Sequence, residues 1–296
     1  MPRTFWQRRT GRRMREFAPI AARRLLLLLL TVAVAAVLST LLVRLAPGFG
    51  MDERQLDLRL SERSVAAIRG DAAQNPWRYL GGLLRGEWGS STSLRQPVRQ
   101  LVSERAEITL RTLGAGLAIA WAASALLCLA GLCLRRSGVD FALALATGGL
   151  LCLPAAAIAV LAMYFEAGPA WALAAVLFPR VMRYARGILT AVWRKPHVLA
   201  ARSRGIGPGA LALRHICLPA APELLALAGI SVSVAAGAVV PVEALCDSAG
   251  IGQLVWQAAM ARDLPVLVPL TMLAAAVTCA ANLCADAGRM LVCRWA

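Results

Sequence analysis

Long apolar runs separated by short charged intervals dominate this chain. After 24 arginine-rich residues, six consecutive leucines beginning at Leu25 open an apolar stretch that reaches Val43. Further runs cover about 109–134, 141–165, 169 onward, 223–243 and 265–285. An α-helix rises about 1.5 Å per residue, so roughly 20 apolar residues cross a bilayer core of ~30 Å. The alternating ten-residue segments of a membrane barrel are absent from the sequence. The pattern predicts an all-α polytopic membrane protein with about six transmembrane helices and both termini cytoplasmic.

The polar intervals set the organisation. Residues 1–24 form a basic cytoplasmic N-terminus, and 25–45 hold the first transmembrane helix, longer than the ~7–15-residue core of a signal peptide. Residues 46–107 are an extracytoplasmic segment with a helix expected around 52–69. Residues 108–296 form the transmembrane core, with a cytoplasmic loop at 185–221. Pro196, Pro208, Pro219 and Pro222 are expected to break that loop into short helices. Glu166, Ala167, Gly168 and Pro169 read as a tight external turn. The fourth span has too few uncharged residues before Arg180, so it must run through Pro179 and carry Arg180 and Arg183. Arg180, Arg183 and Arg186 then share a helix face and snorkel or face the protein interior.

Charge supports this topology. A net charge of +16 in a soluble protein would suggest nucleic acid. Here the internal side carries 20 basic and 4 acidic residues and the external side 12 of each, so the whole +16 lies inside. That is the positive-inside distribution of a membrane protein, and a nucleic-acid partner is not expected. The arginine cluster at the N-terminus suits anionic membrane lipids.

Candidate chemistry is sparse. Lys195, the chain's lysine, is followed by Pro196, so no Gly-x4-Gly-Lys-[Ser/Thr] phosphate loop exists and the chain cannot carry that ATPase site. His197 and His215 belong to no zinc motif, and no Gly-x-Ser-x-Gly elbow occurs. Five of the eight cysteines, Cys128, Cys133, Cys152, Cys279 and Cys284, lie in apolar runs. Cys217 and Cys293 fall inside and Cys246 outside, so no disulfide framework follows. No catalytic residue, metal site or bound cofactor is expected.

The basic loop is the chain's most informative segment. Ala200, Ala201, Arg202, Ser203, Arg204 and Gly205 are followed directly by Ile206 and, after an interval, by Ile216, Cys217, Leu218 and Pro219. Positions 201 and 205 are four apart, which on one helix would give a small-residue face able to enter a partner's groove. The order resembles the coupling loop of bacterial ABC importer permeases. Other segments extend the likeness to the permeases of dipeptide, oligopeptide and nickel importers. They are Gly86-Glu87-Trp88-Gly89-Ser90-Ser91, Pro97-Val98, Arg214-His215, Val242-Glu243, Gly250-Ile251-Gly252, Ala261-Arg262-Asp263-Leu264-Pro265, Asn282-Leu283 and Asp286. The chain departs from the pattern in Leu199, which stands where the general motif has Glu, in a loop interval one residue longer, and in the short turn at Glu166.

The resemblance implies the type I ABC-importer permease fold in the bacterial cytoplasmic (inner) membrane. It implies a solute pathway for a peptide, nickel or metal chelate, shared with a second, homologous permease subunit. Two ABC ATPase subunits would hold ATP and magnesium, and an extracytoplasmic solute-binding protein would deliver the solute. Ala200, Ala201, Arg202, Gly205, Ile206, Leu218 and Pro219 become the ATPase-coupling residues, and a bulky charge at Ala201 or Gly205 is expected to abolish uptake. Glu243, Asp247, Arg262 and Asp263 become candidate binding-protein or gate contacts. The rival classes are an ATP-independent secondary transporter, which needs ionisable groups near the midplane, and a membrane assembly protein that transports nothing.

Overall fold

The computed structural model describes residues 88–91, 93–134 and 137–292, with eight isolated positions between 26 and 41. Those eight (Leu26 and Leu30 among them) are helical and exposed, in line with a first apolar helix. The helix expected at 52–69 and the basic N-terminus lie outside the described residues. The chain divides into two compact units, residues 1–98 with 261–276 and residues 99–260 with 277–296.

The described elements are helical: α1 (Val98–Leu134), α2 (Ser137–Cys152), α3 (Ala155–Tyr164), α4 (Pro169–Trp193), α5 (Pro196–Ser203) and α6 (Pro208–Ala210). A π-helical turn (Leu211–Cys217) then runs directly into α7 (Leu218–Leu245), followed by α8 (Ile251–Met260) and α9 (Leu264–Val292). Segments Val98–Gly131, Pro208–Leu245 and Pro265–Val292 are long and apolar enough to cross a membrane. In a bilayer each satisfies its backbone groups internally, which is what makes a helix viable there.

The third run departs from the single span expected at 141–165. It splits into α2 and α3, bent by 101°. Pro154 causes the break: it lacks an N–H, its ring disfavours a helical residue before it, and its own backbone is extended (φ −67°, ψ 151°). Among the described residues, the runs that cross therefore number three, or four if the bent pair counts as one. The fourth run is helical as expected, since α4 continues unbroken through Pro179 to Trp193 and carries Arg180, Arg183 and Arg186, but it is not among the helices long and apolar enough to cross a membrane.

The loop is also shorter than the sequence suggests. Pro196 and Pro208 do begin helices, at the first-turn position where a missing N–H costs nothing. Pro219 and Pro222 break nothing, because they fall in the opening turns of α7. The irregular part reduces to residues 194–195 and 204–207.

In the larger unit, two apolar clusters hold the helices. One gathers Ala120 of α1, Ile158 and Ala159 of α3, Leu173 and Leu177 of α4, and Ala235, Ala238 and Val242 of α7. Small residues permit the close approaches. A Cβ on Gly116 would lie 2.9 Å from Leu173, and one on Gly229 would lie 2.7 Å from Ala285 of α9. Such approaches let dispersion contacts replace the hydrophobic drive that a lipid solvent does not supply. Asn282 of α9 adds a polar tie, its Nδ2 donating to Ser233 Oγ at 3.0 Å.

Candidate functional site: the loop end and the carboxylate end

The loop between α4 and α7 is built from the inside outwards. Val198 and Ala201, three apart on α5, point into an apolar cluster with Val192, Leu211, Ile216 and Ala220. The opposite side of α5 presents Leu199 (67% exposed), Ala200, Arg202 and Ser203. His197 Nε2 donates to the His215 carbonyl at 3.1 Å, fastening α5 to the π-helical turn. The Arg202 guanidinium lies 5.3 Å from the centre of the Trp193 ring, which braces it against the end of α4.

α5 closes with a Schellman motif. Gly205 N donates to the Arg202 carbonyl at 3.0 Å and Ile206 N to the Ala201 carbonyl at 3.3 Å. The motif needs a left-handed residue, and Gly205 has φ +74°. Thus the turn expected at Gly205 is present, but the shared helix face of 201 and 205 is not. The helix stops at Ser203, Ala201 is buried at 4% exposure in the chain's own core, and Gly205 stands exposed beyond the cap. Leu218 is exposed and Pro219 half-buried at the start of α7.

At the other end of α7 the polar residues turn inward. Glu243 is fully buried. Its Oε2 accepts hydrogen bonds from Thr109 Oγ1 of α1 at 3.0 Å and from Gly252 N at 2.7 Å. Thr109 Oγ1 in turn accepts from Ile251 N at 2.7 Å. One carboxylate and one hydroxyl thus satisfy the first amides of α8, where the helix dipole also favours negative charge. Glycines make room: a Cβ on Gly250 would collide with the Glu243 carboxylate, and one on Gly252 would lie 2.6 Å from the Val239 carbonyl.

The smaller unit holds a second buried carboxylate. Asp263 precedes α9, and its carbonyl accepts from Leu267 N at 2.9 Å. Its Oδ2 accepts from Ser91 Oγ at 2.6 Å, Ser93 Oγ at 2.7 Å and Ser93 N at 3.0 Å. The serine loop is shaped by Gly89 (φ +73°) and Arg95 (φ +54°), with Val98 N donating to the Gly89 carbonyl. Of the four candidate contacts here, Glu243 and Asp263 are therefore internal ties, while Asp247 and Arg262 are exposed. Asp247 and Arg262 each adopt a left-handed backbone at a turn, with φ +47° and +52°. Asp247 Oδ1 accepts from Gln253 Nε2 at 2.9 Å. Beside that turn the half-buried Cys246 thiol is pushed up in pKa by burial.

The serine partners of Asp263 and the Thr109 partner of Glu243 were not singled out from sequence. A carboxylate and its hydroxyl partner lie 134 and 172 positions apart in these pairs. The available signal was the shared order of two motif segments, Gly89-Ser90-Ser91 and Asp263-Leu264-Pro265, which the fold joins.

Arg180 lines a cavity of about 460 Å³ formed where α2 breaks into α3 and faces Ser233 and Gly237 of α7. It lies eleven residues along α4 from Pro169, about 16 Å of helix.

Residues 129–292, more than half of the 296, match the family described as binding-protein-dependent transport system inner membrane component. A probable peptide ABC transporter permease protein of Sinorhizobium fredii is 28% identical over 316 aligned residues, covering 91% of this chain and 96% of that protein. A nickel import system permease protein of Staphylococcus aureus is 23% identical, covering 82% of this chain and 81% of its own length. An oligopeptide transport system permease protein of Bacillus subtilis is 27% identical over 118 residues, 40% of this chain and 37% of the relative. With its all-helical fold, its apolar spans and this match, the chain belongs to the binding-protein-dependent transport system inner membrane components, multi-pass proteins of the bacterial cytoplasmic membrane.

Proposed function

We propose that this chain is the permease subunit of an ABC importer, coupled to separate ATPase subunits through the outer face of α5. The observation that carries the reading is the division of α5 into a buried side and an exposed side. Val198 and Ala201 anchor it to the ends of α4 and α7, while Leu199, Ala200 and Arg202 face outward. An exposed leucine flanked by a small residue and an arginine suits a groove on a soluble partner. A push on α5 reaches α7 through the apolar cluster beneath it and the His197–His215 hydrogen bond, because the π-helical turn that these grip runs directly into α7. The ATPases bind ATP and magnesium, a second permease completes the pathway, and an extracytoplasmic binding protein delivers solute near the exposed turns of Asp247 and Arg262.

The proposed solute carries an anionic group. The relatives' names divide between peptides and nickel. Arg180, which lines a cavity between α4 and α7, favours a peptide carboxylate or an anionic metal chelate over a bare cation. Uptake into vesicles containing the assembled importer tests both points. Uptake should require ATP, fall at least about tenfold in Ala200→Glu and Arg202→Glu, and weaken when the solute's carboxylate is amidated. Undiminished uptake without ATP would instead support a secondary transporter.

A further inference from the structure

A second basic cavity lies apart from the loop face and from Arg180. Arg183, Arg186 and Thr190 of α4 and Arg194 at its C-cap follow one another at intervals of three, four and four residues, so they line one side of that helix and its end. Leu143 and Thr147 of α2 form the opposite wall of a groove of about 470 Å³. Every charged residue lining it is an arginine. Its surroundings are apolar: Phe141, Leu145 and Tyr184, next to the lining residues in sequence, are all exposed.

That combination is the recognition chemistry of an amphiphilic anion. Guanidinium groups match phosphate oxygens with paired donors. The apolar wall, Leu143 and Met182, suits hydrocarbon rather than a hydrated ion. The groove also descends α4 toward Arg194 and the loop, the side that the arginine excess makes internal. Basic pockets between spans on that side attract anionic headgroups.

We propose that the groove between α2 and α4 binds the headgroup of an anionic phospholipid, with its phosphate on Arg183, Arg186 and Arg194. The bound lipid ties α2 to α4 around Leu143 and Arg186.

The purified full-length chain, offered equal phosphatidylglycerol and phosphatidylcholine in mixed micelles, is weighed by native mass spectrometry. Phosphatidylglycerol should be retained about tenfold over phosphatidylcholine. The preference should vanish in the triple variant Arg183→Gln/Arg186→Gln/Arg194→Gln. It should survive in the charge-matched control Arg202→Gln/Arg204→Gln/Arg214→Gln. Parity in the native chain, equal loss in both triple variants, or displacement of the lipid by millimolar inorganic phosphate would each overturn the proposal. A photoreactive phosphatidylglycerol on the native chain guards against a variant that fails to fold. Its crosslinks should map to α2 and α4 around Leu143 and Arg186, and crosslinks confined to other helices would refute the site.

Discussion

The two ends of α7 are stabilised by opposite means. At the Glu243 end a buried carboxylate gathers donors from α1 and α8, and glycines are required so that backbone can close around it. At the loop end the interior is apolar, the turns are closed by backbone caps, and the charges stand outside. A buried carboxylate with fixed donors leaves little freedom, because any movement strands polar groups without partners. An apolar cluster under a capped helix holds the backbone and leaves the outer side chains free to bind. The first arrangement is suited to a structural joint, the second to a docking face.

Substitutions at each end sharpen that contrast. Glu243→Ala should have the largest effect, roughly 3 kcal/mol or more of lost stability, because Thr109 Oγ1 and Gly252 N lose their acceptor. Thermal unfolding of the detergent-solubilised chain and faster proteolysis within α8 would register it. Gly250→Ala should approach the same loss by driving a methyl into the carboxylate. Asp263→Ala should cost roughly 2 kcal/mol by orphaning Ser91 and Ser93, read by the same melting curve.

At the loop end the effects on stability should be smaller and those on uptake larger. Gly205→Ala should lose about 1 kcal/mol by forcing a side chain into the left-handed cap. Arg202→Ala should alter the melting temperature little, since an exposed cation–π pair contributes about 0.5–1 kcal/mol. A strong fall in uptake with an unchanged melt would mark Arg202 as a docking residue. The smallest expected effect is kinetic. In a single-cysteine background, Cys246 should react slowly with a maleimide near pH 7, because burial raises its pKa and reduces the thiolate. Its rate should climb as pH rises through the elevated range. Rapid labelling at neutral pH would show that the turn beside Glu243 is open.

The spans of α1, α7 and α9 were legible because bilayer thickness imposes one length on any apolar run. Periodicity could not reveal the break at Pro154, since apolar residues continue on both sides of it and the proline alone carries the signal. The turn at Gly205 was readable from its freedom to adopt positive φ. The inward direction of Ala201 was not, because alanine suits both a docking face and a core, and the helix end at Ser203 decides between them. Glu243 and Asp263 read as exposed charges in a polar external segment. Their hydroxyl partners lie in remote segments, so only the fold could bring them together.

The most direct test asks what remains bound when each end is altered. The tagged chain would be purified from its native membrane in mild detergent, alongside Ala200→Glu and Glu243→Gln variants matched for expression, and the co-purifying proteins quantified. ATPase subunits should accompany the native chain and Glu243→Gln, while Ala200→Glu loses them and keeps its fold. Equal recovery of ATPases with all three would contradict coupling through α5. Reproducible recovery of the folded native chain alone would contradict the ABC importer.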